Sequence, residues 1–248
     1  MHVPPSLSLL CLPCAGASAA MYLRWRRQVP QWLRIVPVEL PGRGTRMAEP
    51  FAPHFDQLVD RLCAEHAGAM QAPFALFGHS MGALLAYGMA RRLHDEGRPL
   101  PLALFVSASP APAMRDPERF AGKDADDALI ADLRRQGGTP EEVFADGELL
   151  RMTLDVLGAD YRVCGSFRHG GGGPLPLPVH AFAGRQDDIA PPRVEAWSQE
   201  AGGVFTLDWF EGGHFFLRND EQAFVRALIR RAEPYAPVRS QAVSAVAA

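Results

Sequence analysis

The stretch Phe77-Gly78-His79-Ser80-Met81-Gly82 constrains the fold of this chain more than any other part of it. It lies between an apolar run, 73–77, typical of a buried strand, and a helix-like run, 83–93. In a strand–turn–helix unit, glycines on either side of a serine allow a sharp turn, because they lack Cβ atoms and let strand and helix approach closely. Such a turn holds the Ser80 hydroxyl above the edge of a sheet in strained backbone, which is typical of functional sites. The alternative is a surface serine in an ordinary tight turn.

Length and composition are those of one large α/β domain. The chain has 248 residues, of which 48% are hydrophobic and 21% charged. A net charge of −3 gives no reason to expect a nucleic-acid partner, and no apolar run approaches the length of a membrane span. The apolar stretch 6–12 lacks the preceding Lys or Arg of a signal peptide, so we interpret it as a buried strand and expect a cytoplasmic protein.

Strand-like and helix-like segments alternate along the chain, which predicts a mostly parallel central sheet flanked by helices. The predicted strands are 7–12, 33–38, 74–77, 102–107, 178–183 and 204–210. The predicted helices are 19–29, 55–70, 83–93, 126–135, 148–156, 192–200 and 221–232.

One charged segment, 110–169, is too long for an ordinary loop and carries helical patterns of its own. It is either a helical lid or an additional structural layer. The predicted organisation is a core in two parts, 1–109 and 170–236, interrupted by this insertion and followed by a tail, 237–248, that we expect to be disordered.

The spacing of two of the four cysteines weakly suggests a metal site or a redox function. Cys11-x-x-Cys14 matches half of a metal site or a redox pair, but no second pair of ligands accompanies it. We therefore expect buried or loop thiols, and neither a metal nor a cofactor.

Two further polar clusters follow late predicted strands, as Ser80 follows an early one. A serine nucleophile needs a histidine base, and that base needs an orienting carboxylate; in sheets of this type they follow in the order Ser, Asp or Glu, His. His214 follows the last strand, and Asp187 and Asp188 follow the strand before it. We prefer Asp187 as the acid and Asp188 as its solvated neighbour, and we interpret His79 as a residue that packs beside the site.

Acyl transfer also needs hydrogen-bond donors for the developing oxyanion. One is expected to be the backbone N–H of Met81, directly after the serine, and the other to come from the loop after an early strand. The small-residue loop 13–16 is such a loop, and we propose the N–H of Ala15.

With these residues placed, the chain resembles the type II thioesterases, the free-standing editing hydrolases of nonribosomal peptide and polyketide synthesis. The resemblance covers almost the whole chain and is carried by the segments 12–18, 39–44, 77–83, 159–161 and 212–217. The most specific of these are Leu40-Pro41-Gly42-Arg43-Gly44 and Gly212-Gly213-His214-Phe215-Phe216. The chain departs from the family pattern at Gly88, at Gly158 and at 164–167, which bears on lid docking and acyl preference.

The resemblance implies an α/β-hydrolase fold with a helical lid at 110–169. It implies Ser80 as nucleophile, His214 as base and Asp187 as acid, with oxyanion contacts from Met81 and Ala15. The implied substrates are acyl groups in thioester linkage to phosphopantetheine on acyl or peptidyl carrier proteins, hydrolysed to clear stalled or misprimed units in antibiotic or siderophore synthesis. We expect a monomer, with no nucleic-acid or membrane partner.

Carrier proteins tend to be acidic, so arginines are candidates for docking them: Arg24, Arg27, Arg43 and Arg46. Their alternative is solvated surface charge. Other functions remain open on the same residues: a medium-chain fatty acyl thioesterase, an ester or lactone hydrolase, an acyltransferase, or a non-catalytic scaffold.

Overall fold

A computed structural model describes residues 7–237 of the chain. Within them, six strands form one sheet in the order β2-β1-β3-β4-β5-β6, and every neighbouring pair is parallel. The strands are β1 Leu7–Leu12, β2 Leu33–Pro37, β3 Phe74–His79, β4 Leu104–Ser107, β5 Val179–Gly184 and β6 Phe205–Phe210. The predicted parallel sheet is confirmed. The predicted disordered tail, 237–248, lies outside the described residues except for Pro237.

Helices flank the sheet on both faces. The α-helices are α1 Phe55–Glu65, α2 Met81–Asp95, α3 Asp126–Gln136, α4 Glu141–Ala145, α5 Gly147–Ser166, α6 Pro191–Glu195, α7 Phe216–Asn219 and α8 Glu221–Ala232. Short 3₁₀ helices lie at Ala19–Arg27, Gly44–Arg46, Pro112–Met114, Pro117–Phe120, Ala196–Glu200 and Glu233–Tyr235. None of the helices within residues 7–237 is long and apolar enough to cross a lipid bilayer.

Several helices differ from their predictions in length or type. The segment after β1 is a 3₁₀ helix rather than an α-helix, and α1 ends at Glu65, short of the predicted 70. Helix α5 continues well beyond the predicted 156. Every position from 157 to 161 in its second half is buried. This part of the helix therefore lacks the alternation of apolar and polar faces by which a helix is recognised in a sequence.

The two faces of the sheet carry separate hydrophobic cores, because successive strand residues point to opposite faces. Leu10 belongs to the core that includes α1, α2 and Trp197. Its neighbour Leu9 belongs to the opposite core, with Trp25 and Phe224. All four cysteines are buried and free, as expected.

The strand order places a functional crevice between β1 and β3. The chain leaves β1 towards β2 on one side and leaves β3 towards β4 on the other, so the two following loops diverge. Ligands of parallel sheets bind at such a switch point, beyond the carboxyl ends of the strands. The loop 13–18 and the turn at Ser80 lie there.

Candidate active site

The turn between β3 and α2 holds Ser80 in a backbone conformation that few residues adopt. Ser80 has φ of 55° and ψ of −114°, and its N–H donates to the carbonyl of Ser107 on β4 at 2.7 Å. A side chain on Gly82 would overlap the backbone carbonyl of Leu12, and one on Gly78 would overlap that of Gly82. Glycine is therefore required at both positions for the close packing of the turn against the end of β1.

Hydrogen bonds through His214 connect Ser80 to Asp187. Nε2 of His214 lies 2.9 Å from Oγ of Ser80, and Nδ1 lies 3.0 Å from Oδ2 of Asp187. Asp187 follows the end of β5, and His214 follows the end of β6. The structure thus brings together, at the carboxyl edge of the sheet, the three side chains predicted as nucleophile, base and acid.

Asp187, and not Asp188, is the carboxylate that reaches the histidine. The Asp187 side chain is 3% exposed, whereas that of Asp188 is 51% exposed and lies 4.0 Å from Arg135. Burial by itself would raise the pKa of Asp187, but the hydrogen bond with His214 and the charge of that ring hold the pKa below its ordinary value. Asp187 is therefore ionised at neutral pH and orients His214 with a proton on Nδ1.

His79 is buried beside this chain of hydrogen bonds. Its Nδ1 lies 2.9 Å from Oγ of Ser107, and its ring centroid lies 5.3 Å from that of His214. Burial, together with the nearby His214, holds the pKa of His79 well below its ordinary value. A neutral His79 packs against the histidine without adding a charge.

Two backbone N–H groups, those of Ala15 and Met81, belong to residues that line the same cleft as Ser80. Met81 is the first residue of α2, so its N–H has no acceptor within the helix. In the loop 13–18, the N–H of Gly16 donates to Asp160 and that of Ala17 to the carbonyl of Cys14. Among the described residues, no protein acceptor takes the N–H of Ala15 or of Met81. Both are thus available to a substrate oxygen.

A buried ion pair behind this loop was not predicted. Nη1 and Nη2 of Arg43 each lie 2.6 Å from an oxygen of Asp160, and the two side chains are 6% and 2% exposed. Oδ2 of Asp160 also accepts the N–H of Gly16 at 2.8 Å, so the pair ties α5 to the loop that carries Ala15. The hypothesis that Arg43 docks a carrier protein is wrong, because the side chain is buried and its charge is neutralised.

The candidate residues open into one cleft of about 670 Å³, counting its mouth. Its lining combines Ser80, His214 and the two N–H groups with side chains from the segment 110–169 and from α6. The side chains that sequence reasoning missed are Arg115, Arg119, Phe120, Gln136, Tyr161, Cys164 and Arg193. Tyr161 belongs to the segment 159–161 that carries the family resemblance, but no local motif marks the others, because only the packing of the insertion and of α6 over the sheet edge brings them to the site.

Comparison with known proteins identifies one family. Residues 8–234 match the sequence model of the thioesterase domain. Gramicidin S biosynthesis protein GrsT of Aneurinibacillus migulanus is 32% identical over 226 residues, which cover 91% of this chain and 88% of that protein. Thioesterase PikA5 of Streptomyces venezuelae is 36% identical over 229 residues, 89% of this chain and 79% of that protein.

A solved structure agrees with these sequences. The type II thioesterase BorB from the borrelidin biosynthetic cluster is 38% identical and superposes with a TM-score of 0.80, covering 93% of this chain and 96% of that chain.

Proposed function

Because the chain belongs to the thioesterase family and has the α/β-hydrolase fold, we propose that this thioester hydrolase removes stalled or misprimed acyl groups from the phosphopantetheine arm of carrier proteins. The pathway would be nonribosomal peptide or polyketide synthesis. The observation that carries the proposal is the hydrogen-bonded series Ser80–His214–Asp187 inside a cleft. The similarity to type II thioesterases supplies the substrate class.

The reaction proceeds in two halves. His214 accepts the Ser80 proton as Oγ attacks the thioester carbon, and the N–H groups of Met81 and Ala15 hold the negative oxygen of the tetrahedral intermediate. The intermediate collapses to an acyl-enzyme, and the pantetheine sulfur leaves with the proton from His214. A water molecule, deprotonated by His214, then attacks the acyl ester, and Ser80 leaves with that proton. The products are a carboxylic acid and a free thiol.

Asp187 supports both halves without taking part in proton transfer. Its ionised carboxylate holds the imidazole in the orientation in which Nε2 faces Ser80, and it stabilises the imidazolium that forms in each half-reaction.

Only part of the insertion 110–169 acts as a lid. Helix α5 buries a run of side chains, and its Asp160 is bound to Arg43, so α5 is a fixed wall of the cleft. Helix α4 has no buried residue and α3 has two, Leu129 and Asp132, so these two helices have fewer buried residues than α5 and form the movable part of the insertion in this proposal. Amide exchange faster in α3 and α4 than in α5 is the expected result, and equal protection of all three helices argues for a fixed layer.

In this proposal the carrier protein docks on exposed arginines and not on the buried Arg43. Arg24 and Arg27 are exposed near the loop 13–18, whereas Arg46 is held by Glu49 and Glu65. Reversing the charge of Arg24 and Arg27 raises KM for an acyl-carrier protein but not for an acyl-N-acetylcysteamine thioester. An unchanged KM for the carrier removes these residues from docking.

The central test compares hydrolysis of a panel of acyl-phosphopantetheinyl carrier proteins by the wild type and by Ser80→Ala. The variant is expected to lose at least about 10⁴-fold in kcat, because the nucleophile is absent, while its circular dichroism and unfolding midpoint stay unchanged. Mass spectrometry of the wild type during turnover should detect the acyl group bound to Ser80. Full activity of Ser80→Ala would refute the nucleophile.

The same panel separates the proposal from its rivals. Acyl-CoA and simple esters are included at equal concentrations, and the products are analysed for transfer to alcohols or amines. Faster turnover of the free esters than of the carrier-bound acyl groups favours a general esterase, and transfer products favour an acyltransferase.

A further inference from the structure

A second cavity adjoins the catalytic cleft. It has a volume of about 680 Å³, counting its mouth, and lies between the loop 13–18 and the turn that follows α3. Four residues line both the cleft and this cavity: Cys14, Ala15, Gln136 and Phe215. Ala15 is therefore at the junction of the two spaces. A thioester whose carbonyl oxygen binds the N–H of Ala15 can place its acyl group in one space and its thiol arm in the other.

The second cavity adjoins, in turn, a groove on the protein surface. Ala17 and Arg218 line both the cavity and the groove, which lies beside the 3₁₀ helix Ala19–Arg27 and the end of α7. Cleft, cavity and groove thus follow one another from Ser80 to the surface. A carrier protein stays outside the enzyme, so its arm has to reach the serine along a path of this kind.

The cleft itself has a buried part that suits the acyl group. Ala108, Ser109 and Cys164 belong to its lining and are 2%, 3% and 5% exposed. An acyl group ends within the substrate and can be enclosed there, whereas the thiol arm continues to the carrier protein. The second cavity, with its groove, is therefore the better match for the arm.

Arg218 is an exposed cation where the cavity meets the groove. Its Nη1 donates to the carbonyl of Gly138 at 2.8 Å, and its guanidinium carbon lies 4.6 Å from the ring centroid of Phe215, so the side chain is held in place. Within residues 7–237, no carboxylate oxygen lies within 4.0 Å of Arg218, and neither its Nε nor its Nη2 has a protein acceptor. These N–H groups are available to an anion.

The groove carries an excess of positive charge. Arg24 lines it together with Arg218, and its acidic side chain is Glu221, which accepts a hydrogen bond from Gln28 at 2.6 Å. In the described part of the chain, Glu221 forms no ion pair with either arginine. A planar guanidinium donates parallel hydrogen bonds to a phosphate, which suits this ligand chemistry.

We propose that the second cavity holds the pantetheine arm of the substrate and that Arg218, together with Arg24, binds the phosphate of that arm. This inference rests on the proposed function and assigns a site to the thiol half of its substrate. Pantetheine combines two amides with a pair of methyl groups. The cavity lining is mixed in the same way, with apolar and polar side chains: Leu133, Val143, Leu157, Gln136, Thr139 and Thr153.

The test uses three small thiols that copy increasing lengths of the arm. N-acetylcysteamine copies only the thiol end, pantetheine adds the rest of the arm, and phosphopantetheine adds the phosphate. Each carries an acetyl or a hexanoyl group, and no carrier protein is present. The measured quantity is a ratio of kcat/KM between two thioesters within one enzyme variant, which does not depend on the fraction of folded protein. Background hydrolysis is taken from Ser80→Ala.

The wild type is expected to prefer phosphopantetheine to pantetheine. Arg218→Gln should lower this ratio about 5- to 30-fold, less than the loss of a buried hydrogen bond to a charged group, because Arg218 is exposed to water. Arg24→Gln should lower it in the same direction, and Arg218→Lys should keep part of the preference. Arg226→Gln, at an exposed arginine of α8 outside the lining of cavity and groove, is the matched control and should leave the ratio unchanged.

A second pair of variants tests the path of the arm. Thr153→Trp places a large side chain in the lining of the second cavity, so it should lower the ratio of pantetheine to N-acetylcysteamine thioesters and leave the ratio of hexanoyl to acetyl unchanged. Met152→Trp, at the neighbouring exposed position of α5, is its control.

Two results would overturn the inference. One is a phosphopantetheine-to-pantetheine ratio that Arg218→Gln leaves at the wild-type value. The other is a Thr153→Trp variant that loses hexanoyl relative to acetyl equally on all three thiols, which would assign the second cavity to the acyl group. Failure of the proposed function has a different signature, since the wild type would then hydrolyse none of the thioesters.

Discussion

Arg43→Met removes one half of the ion pair that fixes the loop of Ala15. Methionine approximates the aliphatic part of arginine, so the main loss is the charge and the two hydrogen bonds of 2.6 Å to Asp160. Because Asp160 is only 2% exposed, the substitution leaves a buried carboxylate whose remaining donor is the N–H of Gly16. Removing one partner of a buried pair costs about 3–5 kcal/mol.

The chain contains a matched control for this variant. Arg231 binds Asp208 through the same two-pronged contact, at 2.7 and 2.8 Å, but these side chains are 36% and 27% exposed. Arg231→Met should therefore cost about 1 kcal/mol or less, since water replaces the lost partner. The two ion pairs have the same residue types and the same two-pronged geometry, so the variants differ mainly in how deeply the pair is buried.

Urea unfolding, followed by the fluorescence of the buried Trp25 and Trp197, measures the difference. With a denaturant slope of about 2–3 kcal/mol per molar, Arg43→Met should lower the midpoint by about 1–2 M. Arg43→Met combined with Asp160→Leu should be more stable than Arg43→Met alone, because no charge is then left buried.

Although the double variant regains stability, it should hydrolyse thioesters more slowly than the wild type. The N–H of Gly16 has lost its acceptor, so the neighbouring Ala15 is no longer held in place. The reasoning is refuted if Arg43→Met costs no more than Arg231→Met, or if the double variant is the least stable of the set.

The remaining predictions concern the acid, the turn and a buried histidine. Asp187→Asn should lower kcat about 10⁴-fold and Asp188→Asn far less, measured on one saturating thioester; equal losses would contradict the assignment. Gly82→Ala should lower the thermal unfolding midpoint because its methyl group overlaps a backbone carbonyl, whereas Gly147→Ala, with no atom within 4 Å, should not. Burial lowers the pKa of His180 from 6.5 to about 4, so between these pH values the unfolded chain binds a proton that the folded chain does not. Stability should fall by about 3 kcal/mol as pH drops through that window, and His180→Gln should flatten this slope in urea unfolding.

Local pattern was sufficient for several elements of the fold and for two segments of the candidate site. Strand β1 and helix α8 have the ends that the sequence predicts, because apolar period and capping are short-range properties. The turn at Ser80 and the segment at His214 were recognisable for the same reason, as each lies within a few residues of the strand that positions it.

Tertiary structure decided what depends on partners distant in sequence. Adjacent Asp187 and Asp188 differ in function only because the turn after β5 directs one carboxylate to His214 and the other to solvent. The local sequence does not mark Arg43 as buried, because its partner, Asp160, is 117 positions away on a helix that packs over the site. The position of Arg115 in the cleft lining is likewise invisible in the sequence, since it depends on which segments meet over the edge of the sheet.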